Sequence, residues 1–410
     1  MLTDAMERTA AEGEPTPRRG VSRGSASRPS APASKVVVDR ELRDLVGGSL
    51  DALRIKPPAW AMSVLGSPVS WLPAHRSEYG LLYSWRVLRT AKYIADVAIP
   101  SLPMTAPSWF PEPVAPLFWH PSSVAQHPDH DASWTTHPHE AWLFINGIMT
   151  NAAIAEMNGA YLAELFHRPI TLIENSTEGL LEDLVECARE KSFGRISEAT
   201  DTAFPAIYDA LKDPDKQRVV VIAHSQGTII AAAVLRFMQL VYRSGQRRPT
   251  ILSDPKTACA TARDAGMKLD PTDFQPLDRN ELSKLELYCF ANCATQMHYV
   301  DATAGRELPW IESYGNEFDI VARLGMLAPH ADERDISIDG PCYRHDGAWG
   351  HLLNRHYLRA IDRSQRSGHK HGPTHGGAAP YVLLNPEDFP DERQPKIYNY
   401  INGGSPLRGS

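Results

Sequence analysis

The stretch Arg218–Leu235, RVVVIAHSQGTIIAAAVL, constrains the fold more than any other part of this chain. Val219 to Ile222 form a continuous aliphatic run, which suits a strand buried on both faces. The run passes directly into Ala223-His224-Ser225-Gln226-Gly227 and then into a helix of small residues. A strand that turns this sharply into a helix holds the Ser225 hydroxyl at the edge of a sheet, the form of a nucleophile elbow. Small residues are needed two before and two after the serine, because strand and helix nearly touch there. Gly227 meets that need, and Ala223 meets it less generously than a glycine would. The helix N-terminus behind Ser225 brings N–H groups and the positive end of a dipole to where an oxyanion would form. A five-residue string alone carries little weight; strand, turn and small-residue helix in that order carry much more. The bland alternative is a Ser-Gly helix cap after a buried strand.

The pattern around this segment predicts an α/β fold, with a mostly parallel sheet flanked by helices. Short apolar runs at Trp142–Ile145, Ile170–Ile173, Arg218–Ile222, Leu285–Phe290 and Trp310–Ser313 read as strands. Between them lie amphipathic stretches at Ala152–Phe166, Leu180–Lys191 and Thr228–Tyr242. Strands written as continuous apolar runs and separated by helices imply a parallel sheet covered on both faces. This core spans 141–362, with a polar insertion at 243–281. Residues 1–35, rich in Ser, Ala, Pro, Arg and Gly, have too little apolar surface to offset their ordering entropy and form a disordered arm. Its Arg18, Arg19, Arg23 and Arg28 read as solvated charges. Segment 36–140 holds many of the chain's prolines and a run of aromatics from Trp60 to Trp119. It forms either a layer packed on the core or a cap-like, lipid-facing surface, the second aided by an amphipathic stretch from Tyr79 to Val97. Segment 363–410 opens with SQRSGHKHGPTHGGAA and reads as a flexible C-terminal segment.

Charge and cysteine usage narrow the function. The net charge is −7 and the isoelectric point about 6.1, against the basic excess expected of a nucleic-acid binder. Cys187, Cys259, Cys289, Cys293 and Cys342 are odd in number and contain no CxxC pair, so neither a disulfide framework nor a metal site is indicated. Reduced cysteines, acidic residues at Asp4, Glu7, Glu12 and Glu14, and the lack of an eighteen-residue apolar run point to a cytoplasmic protein. His120, His127, His130, His137 and His139 cluster with carboxylates, but their irregular, proline-interrupted spacing favours a solvated loop over a zinc site.

With the elbow in place, residues 141–360 resemble the α/β-hydrolase superfamily, particularly its lipases and esterases. Ala223 departs from the usual first glycine of the motif. The resemblance implies a chain order of Ser, then Asp or Glu, then His, with the acid after the second strand beyond the elbow and the His after the last strand. Leu285–Phe290 and Trp310–Ser313 are those two strands, and Asp319 in Asn316-Glu317-Phe318-Asp319-Ile320-Val321 then falls in the acid position, with Glu317 and Glu312 as fallbacks. A further strand near Asp335–Asp339 would precede the base. His351, delivered by Gly350 to the start of a helix, is the chosen base, followed by His345 and His356. His224, inside the elbow, would shape the substrate pocket. The same resemblance implies oxyanion donors at the N–H of Gln226 and at that of Ile148, with Met149 as the alternative, on the loop Asn146-Gly147-Ile148-Met149. Asn146 and Gly147 would line the substrate site. The loop from Glu174 to Gly179 serves mainly as a helix cap.

These expectations describe a serine hydrolase that cleaves a carboxylic ester, possibly lipid-like, through an acyl-enzyme, with no metal or organic cofactor. Residues 36–140 and 243–281 supply material for a cap, and peripheral membrane contact is compatible with the first. The same triad also suits an acyltransferase, thioesterase or peptidase. A non-catalytic scaffold of the same fold, binding a lipid or a partner protein, is the alternative from another class.

Overall fold

A computed structural model describes residues 123–127, 137–147, 152–174, 193–245, 255–264, 266–299, 308–329, 336–362, 381–392 and 394–406. The arm 1–35, nearly all of the 36–140 extension, the helix expected at Leu180–Lys191, the 175–179 loop, Ile148 and Met149 lie outside these residues. In chain order the strands are β1 (Ser123–His127), β2 (Glu140–Ile145), β3 (Ile170–Glu174), β4 (Arg218–His224), β5 (Leu285–Phe290), β6 (Gln296–Met297), β7 (Trp310–Asn316), β8 (Ser337–Ile338), β9 (Cys342–His345) and β10 (Tyr381–Leu383). The helices are α1 (Ala152–Phe166), α2 (Phe193–Lys212), α3 (Gln226–Ser244), α4 (Pro255–Asp264) and the single turn α5 (Arg279–Leu282). A π-helical turn, Leu353–Leu358, runs on as α-helix to residue 362. No described helix is long and apolar enough to cross a membrane.

Eight strands form one sheet in the order β1-β3-β2-β4-β5-β7-β9-β10. The six central strands are parallel, and β1 and β10 close the two edges antiparallel. From β2 the chain steps outward to β3, then crosses back to β4 on the other side. The crevice at the carboxyl ends of β2 and β4 is therefore the topological switch point, where open α/β sheets bind ligands.

The side-chain alternation of the strands sends two apolar sets to opposite faces. Leu143, Val219, Val221, Leu287 and Cys289 pack with Phe204, Ile207 and Leu211 of α2 and with Ile230, Val234 and Phe237 of α3. Phe144, Val220, Ile222, Tyr288, Phe290 and Tyr314 pack on the other face with Leu162 and Phe166 of α1 and Tyr357 and Leu358. Helix α2 was not expected: its buried residues Ala199, Ala203, Ile207 and Leu211 recur at helical spacing, but Pro205 sits in its middle, where a proline ordinarily ends a helix.

Three boundaries differ from those expected. Ser123–His127, assigned to the extension, is an edge strand of the sheet; its sequence SVAQH carries too short an apolar run to announce itself, and Val124 remains about half exposed. The strand preceding His351 is Cys342–His345 rather than a segment at Asp335–Asp339, since Ser337–Ile338 pairs with β6 in a separate two-stranded ladder. The described part of the 243–281 insertion is no cap over Ser225. It packs along α2 and α3 toward the opposite, amino-terminal ends of the strands, where Phe274 meets Phe204 and Phe237, Tyr208 donates to the Gln275 carbonyl and Lys212 pairs with Glu281.

The largest correction concerns the C-terminal segment. Residues 381–392 and 394–406 are built into the fold, so the core does not stop at 362. Tyr381, Ile397, Tyr398 and Tyr400 are buried, and the 3-10 helix Lys396–Gly403 covers one end of the sheet. A buried polar network fastens it there. Arg168 donates to Glu140 Oε2 at 3.0 Å and to the Gly404 carbonyl at 2.7 Å; Arg218 bridges Glu140 and Glu286; Tyr400 and Tyr288 donate to Glu286; and the Lys396 backbone N–H donates to Glu312. Burial would raise the Glu140 carboxyl, but hydrogen bonds from Arg168 and Trp142 hold it below its usual value. Glu312 is different: burial pushes it up to about 7 despite hydrogen bonds from Tyr314 and the Lys396 backbone.

Arg168→Ala should destabilise the fold by about 3–5 kcal/mol, because it strands the buried Glu140 carboxylate; urea unfolding would measure it. Glu312 keeps its proton in the folded chain over the range in which the unfolded chain gives it up. Its contribution to stability is therefore fully present below pH 4.5 and falls by about 3 kcal/mol as pH rises through 7. Unfolding curves of wild type and Glu312→Gln between pH 4.5 and 8 should show this decline in the wild type alone.

Candidate active site

Ser225 sits between β4 and α3 with φ 57° and ψ −128°, a backbone conformation that a residue with a side chain rarely adopts. It is held there by the end of the neighbouring strand. The Ser225 N–H donates to the Phe290 carbonyl at 2.9 Å. The Ser225 carbonyl accepts from the Thr228 hydroxyl at 2.7 Å and from the Cys293 thiol at 3.4 Å. The thiol of Cys293 thus has a structural role behind the elbow, and buried Cys289 lies in β5, where burial holds its thiol well above the usual range.

The loop after β2 lies directly on the elbow. A Cβ on Gly147 would come within 2.5 Å of Ser225 Cβ and 2.6 Å of the His224 carbonyl. A Cβ on Gly227 would reach the Ile145 carbonyl at 2.4 Å and the Asn146 carbonyl at 2.8 Å. Both glycines are required by this one crossing of backbones, the closeness expected from sequence on the helix side. Asn146 is fully buried at the same place, and Gln226 begins α3, so the positive end of that helix abuts Ser225.

The structure brings the three chosen side chains together. His351 Nε2 lies 2.9 Å from Ser225 Oγ, and His351 Nδ1 lies 2.9 Å from Asp319 Oδ2 and 3.2 Å from Oδ1. All three are buried. Asp319 follows β7 on a tight loop: its N–H donates to the Asn316 carbonyl, and its Oδ1 accepts the Val321 N–H at 2.9 Å. The loops bearing Asp319 and His351 are joined to each other. Phe318 N–H donates to the Ala348 carbonyl, the Phe318 and Trp349 rings stack 4.4 Å apart, and Gly347 N–H donates to Glu317 Oε2 at 2.6 Å. Gly350, at φ +100°, makes the turn that delivers His351, and a side chain there would strike the His356 ring.

The fallbacks are occupied elsewhere. Glu317 caps the Gly347 turn, and Glu312 belongs to the buried network under the C-terminal segment. His345 lies against Tyr381, and His356 Nδ1 accepts the Leu352 N–H at 2.9 Å. His224 is buried with its ring 4.7 Å from that of His351, and its Nε2 lies 2.8 Å from the His351 carbonyl. Burial, and then the charge His351 would carry, keep His224 far below its usual basicity. It is therefore neutral and donates from Nε2. A contact with substrate was expected of His224; its visible contact is with the backbone of His351. Sequence reasoning gave no role to Tyr357, whose hydroxyl donates to Asp319 Oδ2 at 2.5 Å and accepts the Asn316 N–H at 3.1 Å. A tyrosine in an apolar helix reads as core, and only the fold reveals the carboxylate beside it.

A hydroxyl, an imidazole and a buried carboxylate in series can withdraw a proton from Ser225 as its oxygen attacks an electrophile, and can return it to a leaving group. No protein-family model matches the chain, and no curated protein matches it in sequence.

The Ser225 backbone offers a direct test. Glycine ordinarily costs about 0.5–1 kcal/mol relative to alanine, yet here it alone relieves the left-handed φ. Ser225→Gly should be more stable than Ser225→Ala by about 1 kcal/mol in urea unfolding, reversing the usual order.

Proposed function

We propose that the protein is a serine hydrolase of the α/β-hydrolase type that cleaves carboxylic esters through an acyl-enzyme. The observation that carries this reading is the unbroken series Ser225 Oγ, His351 Nε2, His351 Nδ1 and Asp319 Oδ2, with 2.9 Å at each hydrogen bond, placed at the switch point of a parallel sheet. Buried hydroxyl, imidazole and carboxylate groups find hydrogen-bond partners in any fold. A serine held at positive φ and aligned with both others has a cost that packing alone does not explain.

In this mechanism Ser225 Oγ attacks the ester carbonyl while His351 Nε2 takes its proton. Asp319, kept in a water-poor site, orients the Nδ1–H tautomer and stabilises the imidazolium. The negative oxygen of the tetrahedral intermediate faces the start of α3, where the Gln226 N–H is the first donor and Ile148, on the loop led in by Gly147, supplies the second. His351 then protonates the departing alcohol. A water entering in its place attacks the acyl carbon while the same nitrogen takes its proton, and that proton passes to Ser225 Oγ as the acyl–oxygen bond breaks and the acid leaves. Nothing in these steps calls on a metal or an organic cofactor. The substrate is a small acyl or lipid-like ester, in keeping with the aromatic composition of segment 36–140.

Incubation with a fluorophosphonate should label the wild type at Ser225, and p-nitrophenyl esters of increasing acyl length should be turned over. Ser225→Ala should abolish both, and Asp319→Asn should lower turnover by about 10³–10⁴-fold at unchanged fold. A wild type that neither labels nor turns over any ester would defeat the proposal.

A further inference from the structure

A triad needs its carboxylate fixed, and in this protein the fixing group comes from beyond the base. Three groups hydrogen-bond to the Asp319 carboxylate: the His351 ring, nearest Oδ2 at 2.9 Å and 3.2 Å from Oδ1, the Val321 N–H at Oδ1 and the Tyr357 hydroxyl at Oδ2. The first is the working contact and the second comes from the acid's own loop. Tyr357 lies on the π-helical turn that begins two residues after His351. Such turns are rare and favour functional sites. Its ring is fully buried against Phe290 and near His224, so the hydroxyl has little freedom to leave. While it donates to Asp319, the same oxygen accepts the N–H of Asn316, where β7 ends. Asn316 in turn donates through Nδ2 to the Gly350 carbonyl, immediately before the base. A closed circuit thus runs from the strand end to the acid, to Tyr357 and back to the base.

We propose that Tyr357 is a positioning residue for the His351–Asp319 pair: its hydroxyl locks the carboxylate against His351 Nδ1 and draws part of the negative charge away from the imidazole. This rests on the serine hydrolase reading and deepens it. Burial, and next the charge of Asp319, hold the Tyr357 hydroxyl well above its ordinary range, so it stays a donor throughout the working pH. Among the described residues, the other titratable groups around the base are His224, from the end of β4, and His356, from the same helix as Tyr357. His224 remains neutral, and His356 is engaged at Nδ1 by the Leu352 N–H, leaving Asp319 as the charge that governs His351. A carboxylate stripped of one hydrogen bond concentrates its charge on the partners that remain, so removing the Tyr357 hydroxyl strengthens the pull on the imidazolium. The base is then protonated at a higher pH.

The test is Tyr357→Phe, which keeps the ring and removes only the oxygen, with Tyr343→Phe as a control at a buried tyrosine away from the site. The rate of fluorophosphonate labelling is measured from pH 5 to 9 alongside kcat and KM on a p-nitrophenyl ester and the melting temperature. Tyr357→Phe should move the acid limb of the labelling rate upward by about half to one pH unit, and lower kcat about ten-fold at nearly constant KM. Tyr343→Phe should leave the limb in place. A Tyr357→Phe enzyme that melts lower but keeps the wild-type limb and kcat would overturn the proposal, showing packing alone. A limb displaced downward would overturn it as well. Wild type that does not label at all would instead remove the serine hydrolase reading, and the role of Tyr357 with it.

Discussion

At the carboxyl ends of β2 and β4 two stretches of backbone approach too closely to admit a Cβ between them, and the geometry of the site is organised around that contact. The end of β2 crosses the first turn of α3, with Gly227 beneath the Ile145 carbonyl and Gly147 beneath Ser225 Cβ. Neither position tolerates a side chain. At this crossing the chain passes from β4 into α3 with Ser225 at a positive φ. It also brings the loop after β2 over the start of α3, where dipole and N–H groups converge. Remaining pieces are tied to this point from one side: β5 through the Phe290 carbonyl and Cys293, β7 through Asp319, and the chain after β9 through His351. A parallel sheet suits the task, since every one of these strands delivers its carboxyl end to the same edge.

The carboxylate and imidazole are each held twice. Asp319 is set by its own loop, through Val321, and by a residue from the next element, Tyr357. His351 is set by Asp319 at the ring and by His224 at the backbone carbonyl. Groups buried this deeply lose the option of hydrogen bonding to water, so each unmade bond carries the full desolvation cost. That cost favours a single arrangement over a family of loose ones. Preorganisation of this kind is what an electrostatic catalyst requires, because dipoles already in place need no reorganisation when charge develops.

The legible and illegible parts of this fold divide along a physical line. Strands β2, β3, β4, β5 and β7 were readable because parallel strands buried on both faces become continuous apolar runs, and the elbow because close approach demands small residues at fixed offsets. Their order behind those strands also put Asp319 and His351 within reach of Ser225. The edge strands β1 and β10 were not readable, since an edge buries one side and needs only a few apolar residues. Helix α2 was hidden by Pro205. The C-terminal segment was misjudged because its Gly- and His-rich lead-in, 364–379, dominates its composition, while the anchoring tyrosines come later and singly. Tyr357 was hidden for a different reason: a hydroxyl's partner is a matter of tertiary position, with no local signature.

The two ends of the sheet do opposite work with the same kinds of residue. At the amino-terminal ends of the strands, Glu140, Arg168, Arg218 and Glu286 pair cation with anion, with Tyr288 and Tyr400 filling remaining acceptors. Charge there is neutralised locally, and its product is a fastened chain terminus. At the carboxyl ends, the Asp319 carboxylate has no arginine or lysine side chain among its hydrogen-bond partners in the described residues, only neutral donors and one imidazole. A guanidinium at that place would satisfy the carboxylate and leave nothing to stabilise a protonated His351. Neutral donors hold the carboxylate in position without cancelling its charge, so in the proposed reaction the identity of the group at position 357 matters as much as its presence. Buried Arg–Glu pairs secure the fold at one end, and at the other, among the described residues, the Asp319 carboxylate is paired with the His351 imidazole.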